Sequence, residues 1–209
     1  MSSYINSIKD QAVFHTPFST GIFIINLKEP QLNQELKTTA LETLGQGTRK
    51  ISNRGGLQSE NIPLNRPVIS TFFRRIIPAV KEYINHYHPI EPYHFAFTHL
   101  WFNLNRTGDY NVQHSHGAAG IDFSGSYYLQ ALPDSGDMVL INPDTGMNYS
   151  DLIQQAKFKK FNSLNSTVFN ITPEPGRLVI FPAHLEHRVE PNKNQSDRIS
   201  LAFNLRVIR

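Results

Sequence analysis

The apolar residues in the first half of the chain recur at helical spacing. Between residues 31 and 44 they return every four positions, which predicts one helix. A longer apolar stripe from Val68 to Tyr87 predicts a second helix, and Pro78 within it is expected to kink the helix or divide it in two. A short β-rich run at residues 21–26 predicts a strand ahead of both helices.

Beyond Pro92 the hydrophobic period changes to two. The first strand predicted beyond Pro92 carries Phe95, Phe97, His99, Trp101 and Asn103 on one face. Further strands are predicted at 120–131, 137–142, 167–172, 177–181 and 199–207, with one short helix at 151–157. Helices followed by short strands predict an α+β fold, in which a jelly roll or double-sheet barrel carries helices packed outside one sheet.

Composition narrows the class of protein. The 209 residues suit a single domain, and the absence of cysteine excludes disulfides, zinc–thiolate sites and cysteine nucleophiles. The net charge of +3 comes from scattered basic residues, so nucleic-acid binding is not expected. The N-terminal residues lack a secretory signal, and no apolar run approaches the roughly 20 residues of a membrane helix, which predicts a cytoplasmic protein.

The first candidate for chemistry is a pair of histidines in the segment Gly108–Leu129. On a strand, His114 and His116 point to the same face because they are two positions apart. Two imidazoles at that separation suit Fe(II), Zn(II), Mn(II) or Ni(II). The pair alone is equally consistent with two hydrogen-bonded histidines near a turn.

A second segment, Pro175–Leu205, makes a metal site the better interpretation. His187 follows a predicted strand, and Arg198 and Ser200 open the last strand on a common face. If those two strands pair antiparallel, the arginine and the serine lie near His187. A guanidinium beside a hydroxyl can clamp a carboxylate, so we expect an acid that also chelates the metal.

These residues carry a resemblance to a known family. The segments that carry it are SNRGGLQS (52–59), Trp101-Phe102-Asn103, His114-Ser115-His116 followed by SGSYYL, PEPGRLVIFP (173–182) and RISLAFN (198–204). Together they resemble the Fe(II)- and 2-oxoglutarate-dependent dioxygenases, in a prolyl-hydroxylase-like branch of bacterial and phage oxygenases. The resemblance implies a double-stranded β-helix, the jelly-roll body also found in cupins.

The resemblance also implies roles for individual residues. His114, His116 and His187 would bind the iron and form the catalytic centre, whereas Arg198, Ser200, Tyr128 and Asn103 would contact 2-oxoglutarate. The cofactors would be Fe(II), 2-oxoglutarate as co-substrate and O2, with ascorbate in addition. The reaction would hydroxylate a C–H bond of a small molecule or peptide and release succinate and CO2.

The same resemblance implies the domain organisation. Residues 1–209 would form one oxygenase domain, with residues 1–92 as a helical and loop support and residues 93–209 as the β-helix core. The segment 52–59 would be a lid or a substrate-contacting loop.

The second metal ligand stays open, because the family generally places a carboxylate where His116 stands. His116 can replace that carboxylate, which we favour; Asp122 can supply it instead; or His114 and His187 alone bind the metal. His184 competes with His187 for the distal position, and His187 has the better spacing to Arg198.

Two other classes fit part of the pattern. A cupin-type metalloprotein, acting as an isomerase, a thiol-dioxygenase-like enzyme or a sugar-binding module, would use the histidines and not require Arg198. A jelly-roll structural or virion protein would carry the histidines incidentally. An arginine within an apolar strand argues against the structural protein, because such a charge requires a specific partner.

Overall fold

The computed structural model describes residue 16 and residues 18–90, 92–117 and 120–208. In chain order the elements are β1 (Phe23–Asn26), α1 (Pro30–Gln46), β2 (Asn53–Arg54), β3 (Leu57–Gln58), α2 (Pro67–Asn85), β4 (His94–Asn105), β5 (Tyr110–His114), β6 (Phe123–Gln130), β7 (Met138–Ile141), a 3-10 helix (Thr145–Tyr149), α3 (Asp151–Gln155), β8 (Val168–Ile171), β9 (Arg177–Pro182), β10 (His187–Val189) and β11 (Arg198–Ile208). The predicted combination of helices and short strands is confirmed.

The strands form two antiparallel sheets. The first has the order β1-β9-β6-β11-β4-β3, and the second has the order β2-β5-β10-β7-β8. The condition that the strand before His187 pairs with the last strand is not met, because β6 lies between β9 and β11. His187 itself begins β10 in the second sheet, where it pairs with His114.

Helices α1 and α2 cover one face of the six-stranded sheet with an apolar core. On α2 the ring of Phe72 lies 5.1 Å from Tyr127 of β6 and 6.4 Å from Phe203 of β11, measured between ring centroids. Helix α2 runs unbroken through Pro78, so of the two outcomes expected there, a kink or a division into two helices, the division does not occur. The apolar stripe of α2 is buried along its whole length, and this packing offsets the hydrogen bond lost at the proline.

Strand β4 contains a β-bulge that changes the predicted face assignment. Leu205 pairs with Phe97 and Asn204 pairs with His99, so Thr98 is an extra residue on β4. Phe97 therefore turns to the helix side, where it stacks on Phe73 at a centroid separation of 3.9 Å. The predicted single face from Phe95 to Asn103 is wrong at its first two members, since both phenylalanines pack against the helix-side core.

The segment 52–59 joins the two sheets. Strand β2 pairs with β5 of the second sheet, and β3 pairs with β4 of the first. Both strands are two residues long and were not predicted. Among the described residues, no helix is long and apolar enough to cross a bilayer.

Candidate metal and co-substrate site

Three histidines from two neighbouring strands of the second sheet come together between the sheets. His114 ends β5, His116 follows two residues later, and His187 begins β10. Each offers one ligand atom, and these atoms all lie within 4.8 Å of one another, so the group could hold a metal ion. The ring centroids of His114 and His187 are 4.3 Å apart. The predicted triad is thus assembled.

Backbone carbonyls orient two of these rings for metal binding. Nδ1 of His114 lies 2.7 Å from the carbonyl oxygen of Val112, and Nδ1 of His187 lies 3.0 Å from that of Leu185. A carbonyl only accepts hydrogen bonds, so Nδ1 carries the proton in both rings. Nε2 then keeps a free lone pair that can bind a metal ion, in the arrangement usual for ligating histidines.

The surroundings keep the imidazoles neutral. Burial lowers the pKa of His187 to about 3, with the nearby His114 as the second cause. Burial, followed by the proximity of His114, lowers the pKa of His116 to about 4. Burial also lowers the pKa of His114, partly offset by its hydrogen bond to Val112. Neutral imidazole is the form that binds metals, so the group is ready to ligate at neutral pH.

Arg198 opens β11 as a buried cation, with 2% of its surface exposed. Its Nη1 donates a hydrogen bond of 3.3 Å to the amide oxygen of Asn105, and its buried Nε has no partner. Within the described parts of the chain, no carboxylate forms an ion pair with it. Burying a guanidinium without an anion costs free energy of folding, so Arg198 has the capacity to bind one.

The other predicted co-substrate contacts lie on one row of paired residues. Ser200 pairs with Asn103 of β4 on one side and with Tyr128 of β6 on the other. The Tyr128 ring lies 5.0 Å from Cζ of Arg198, and its hydroxyl is buried without a partner. Ser200 and Asn103 line the cavity between the sheets, whereas Tyr128 contacts Arg198 but is not among the lining residues.

The alternative ligands lie elsewhere. The Asp122 carboxylate is exposed and accepts a hydrogen bond of 2.7 Å from the backbone N–H of Val207, outside the histidine group. His184 is exposed and also lies outside that group. Among the described carboxylates, none joins the three histidines.

Several polar residues of the site were missed by sequence reasoning. Asn105 accepts from Arg198 and donates to Asn111, which in turn donates to Ser52 of the loop. Arg49 also lines the cavity. On β4 the residues become polar at Asn103 and Asn105, and this change in the pattern could have pointed to Asn105. No pattern pointed to Arg49, because it lies outside any predicted element.

The cavity itself has a volume of about 150 Å³, enough for a small organic molecule. It is bordered by the three histidines, Arg198 and the polar row, and by the indole of Trp101, whose centroid lies 5.5 Å from that of His116. Two antiparallel sheets thus enclose a site that could hold a metal ion on three imidazoles, with a buried arginine and room for a small acid beside it.

Comparison with known families identifies the class. The family model described as "Putative 2OG-Fe(II) oxygenase" matches residues 99–204, just over half of the chain. The chain therefore belongs to the 2OG-Fe(II) oxygenase family, where 2OG stands for 2-oxoglutarate. No curated protein sequence matches it.

Solved structures share the fold at low sequence identity. The chain is similar to a prolyl-4-hydroxylase from Pseudomonas putida, with a TM-score of 0.62 and 15% identity, covering 98% of this chain and 97% of that one. It is similar to a prolyl hydroxylase from Trichoplax adhaerens in complex with a hypoxia inducible factor peptide (TM-score 0.60, 16% identity, 97% of this chain, 86% of that one). A third similar structure is SnoN, an alpha ketoglutarate dependent epimerase from nogalamycin biosynthesis (TM-score 0.65, 14% identity, 90% of this chain, 78% of that one).

Proposed function

We propose that the protein is an Fe(II)- and 2-oxoglutarate-dependent dioxygenase that hydroxylates a C–H bond and releases succinate and CO2. We further propose that residues 1–209 form one domain whose body is a double-stranded β-helix of the jelly-roll type. Membership of the oxygenase family and the likeness to solved oxygenases support both statements.

The observation that carries this proposal is the unpaired buried guanidinium of Arg198. It lies in the same cavity as the three histidines, and a cavity-lining hydroxyl stands two residues away at Ser200. An acid bound by this pair would repay the desolvation of the arginine and would reach toward the histidine group. A cupin or a structural jelly roll has no use for that charge.

The donor set fits Fe(II) with three imidazoles. His114, His116 and His187 would hold the ion, with His116 in the position that a carboxylate occupies in most of the family. When bound, the iron supplies the site at which O2 is activated with oxidative decarboxylation of 2-oxoglutarate. Three neutral ligands leave the full charge of the ion uncompensated, and this strengthens its attraction for an anionic chelator.

The role of the chain's own residues in this proposal is to bind and orient 2-oxoglutarate. Arg198 would take both oxygens of the distal carboxylate of 2-oxoglutarate, and Ser200 would donate a hydrogen bond to the same group. Asn103 would contact the co-substrate from the next strand. Tyr128 would support the guanidinium through its ring and offer its unpartnered hydroxyl.

The substrate would be a small molecule or a peptide. The Trichoplax prolyl hydroxylase binds a peptide fragment, which supports a peptide substrate by analogy. SnoN is named as an epimerase of nogalamycin biosynthesis, which supports a small molecule by the same reasoning. Ascorbate would act as an additional cofactor in either case.

The proposal is tested by calorimetric titration of 2-oxoglutarate into anaerobic, Mn(II)-loaded protein. We expect binding that weakens about 10- to 150-fold in Arg198→Ala, because a charge-assisted contact is lost. The matched control is Arg206→Ala, which removes an exposed arginine from the same strand and should leave the affinity unchanged. With Fe(II) in air, succinate should then appear.

Each rival predicts a different result. Metal binding without 2-oxoglutarate binding would favour the cupin-type protein. The absence of both would favour the structural jelly roll. Equal affinity in the wild type and Arg198→Ala would remove the observation on which the oxygenase proposal rests.

A further inference from the structure

The cavity contains a second arginine, Arg49, that the proposed chemistry does not use. Arg49 lines the cavity, and its Nε is buried without a hydrogen-bond partner. Nη1 lies 3.9 Å from a carboxylate oxygen of Glu60, whose side chain is 70% exposed. An ion pair of that length to a solvated carboxylate contributes little, so the guanidinium keeps most of its capacity to bind an anion.

The position of Arg49 follows from the pairing of the strands. Arg49 pairs with Gln58 of β3, Gln58 with Asn103 of β4, and Asn103 with Ser200 of β11. Directly paired residues point to the same face, so this row crosses the sheet on the cavity side. The Arg49 backbone lies three strand spacings, or about 14 Å, from that of Ser200. Arg49 therefore stands at the opposite end of the row from the proposed 2-oxoglutarate clamp.

With metal and co-substrate bound, the cavity would carry a net positive charge. Among the described residues, no aspartate or glutamate lines it, and histidines that ligate a metal ion do so as neutral imidazoles. Fe(II) carries two positive charges and each arginine one, whereas 2-oxoglutarate brings two negative charges. The fully loaded site would keep two positive charges in a partly enclosed space, which favours a further anion.

We propose that Arg49 binds a carboxylate of the substrate, which makes the protein selective for anionic substrates. This inference rests on the proposed function, because 2-oxoglutarate must first occupy Arg198. Trp101 lines the same cavity and offers an aromatic face to the body of the substrate. The anion can belong to a small acid or to an acidic side chain of a peptide, and the two sources are separated by the probes used.

The test compares pairs of probes that differ in charge and not in size. Benzoate and benzamide represent the small acid, and capped tripeptides with a central glutamate or glutamine represent the peptide. Each is titrated calorimetrically into protein that is loaded with Mn(II) and saturated with 2-oxoglutarate under anaerobic conditions. We expect the charged member of at least one pair to bind about tenfold or more tightly than its neutral partner.

The variants assign that preference to one side chain. Arg49→Gln should remove the preference for the charged probe, and Arg49→Lys should keep part of it, because the charge remains while the two-pronged geometry is lost. Arg54→Gln is the matched control, since Arg54 lies five residues further along the chain, is exposed and does not line the cavity. Thermal melting of each variant shows whether it is folded, and Arg49→Lys serves if Arg49→Gln is not.

The outcomes separate the two proposals. The 2-oxoglutarate titration alone tests the proposed function. Three results would overturn the role of Arg49: no preference for either charged probe in the wild type, an equal loss in Arg54→Gln, or a charged probe that displaces 2-oxoglutarate and so binds at Arg198. A preference confined to the tripeptides identifies a peptide substrate, and one confined to benzoate identifies a small acid; either supports the inference.

Discussion

The two faces of the six-stranded sheet differ in what they hold, although the same strands supply both. On β11, Ile199, Leu201, Phe203 and Leu205 face α1 and α2, while the residues between them face the cavity. The helix side is an apolar core without a gap in its pattern. The cavity side carries a buried charge, a hydroxyl and an amide from the same strand.

The difference shows where the free energy of folding comes from. Burial of the apolar helix-side residues is favourable, although the Tyr127 hydroxyl is buried there without a partner. The cavity side carries the larger cost, because it buries the charged guanidinium of Arg198, whose Nε has no partner, together with the unpartnered hydroxyl of Tyr128. The helix-side face therefore stabilises the fold. This stability allows the cavity-side face to keep polar groups that are unfavourable in the absence of a ligand. Substitutions on the helix side should lower stability and leave binding unchanged, whereas removal of the buried charge on the cavity side should raise stability and weaken binding.

Among single substitutions, the largest effect on stability is expected on the helix side. Phe203→Ala removes a fully buried ring that packs on Phe72 and Phe97, and it uncovers Gly125, where an added Cβ would collide with that ring. We expect the free energy of unfolding to fall by about 3–5 kcal/mol in urea titrations. The 2-oxoglutarate affinity of the folded variant, measured in the cold, should stay within about twofold. A large loss of affinity would show that the faces are not independent.

The histidines of the cavity should make the metal-free protein sensitive to acid. In the unfolded chain a histidine takes up its proton near pH 6.5, whereas in the folded protein His116 does so at about 4 and His187 at about 3. Between these values the unfolded state binds more protons. The free energy of unfolding should therefore fall as the pH drops below about 6.5, by up to about 1.4 kcal/mol per pH unit for each histidine.

Urea titrations across this pH range measure the effect. His187→Gln provides the control, because a neutral side chain of related size removes one of the two titrations and should flatten the profile. A profile parallel to that of the wild type would contradict the assignment of the acid sensitivity to His187.

Removing the buried charge should have the opposite sign. Arg198→Met replaces the guanidinium with an apolar side chain, so we expect the ligand-free protein to gain about 1–2 kcal/mol in the free energy of unfolding. The same variant should bind 2-oxoglutarate about 10- to 150-fold more weakly, as expected for Arg198→Ala. Destabilisation in the absence of ligand would mean that the hydrogen bond to Asn105 already satisfies the arginine.

The smallest effect is expected at Asp122, on neither face of the comparison. Asp122→Asn weakens the hydrogen bond to the N–H of Val207 and should cost about 0.5–1 kcal/mol in stability. The affinity for Mn(II), measured by calorimetry, should not change, whereas His116→Ala should reduce it strongly. A loss of metal affinity in Asp122→Asn would identify the aspartate as the missing carboxylate ligand.

The sequence pattern was enough to predict the parts of the molecule that depend on local regularity. Strict alternation in 199–205 separates the two faces of β11, and the spacing of His114 and His116 places both on one side of β5 and its extension. The choice of His187 over His184 rested on its spacing to Arg198. In the structure His187 joins the histidine group for a different reason: it starts a strand of its own in the second sheet, where it pairs with His114.

The remainder depends on contacts between distant segments. Strands β2 and β3 have two residues each, too few for a recognisable pattern, and they exist because β5 and β4 offer free edges. Arg49 reaches the cavity only through its bridge to Gln58. The bulge at Thr98 depends on the register between β4 and β11, and a local sequence pattern does not encode that register.

That bulge has a consequence for the size of the cavity. Because Thr98 is inserted, β4 contributes His99, Trp101 and Asn103 to the cavity and then directs Phe97 to the helices. A chain without the extra residue would continue the cavity-facing row with phenylalanines, closing the space beyond His99 with bulky rings. A single inserted residue on β4 thus keeps two phenylalanine rings on the helix side and out of the cavity-facing row.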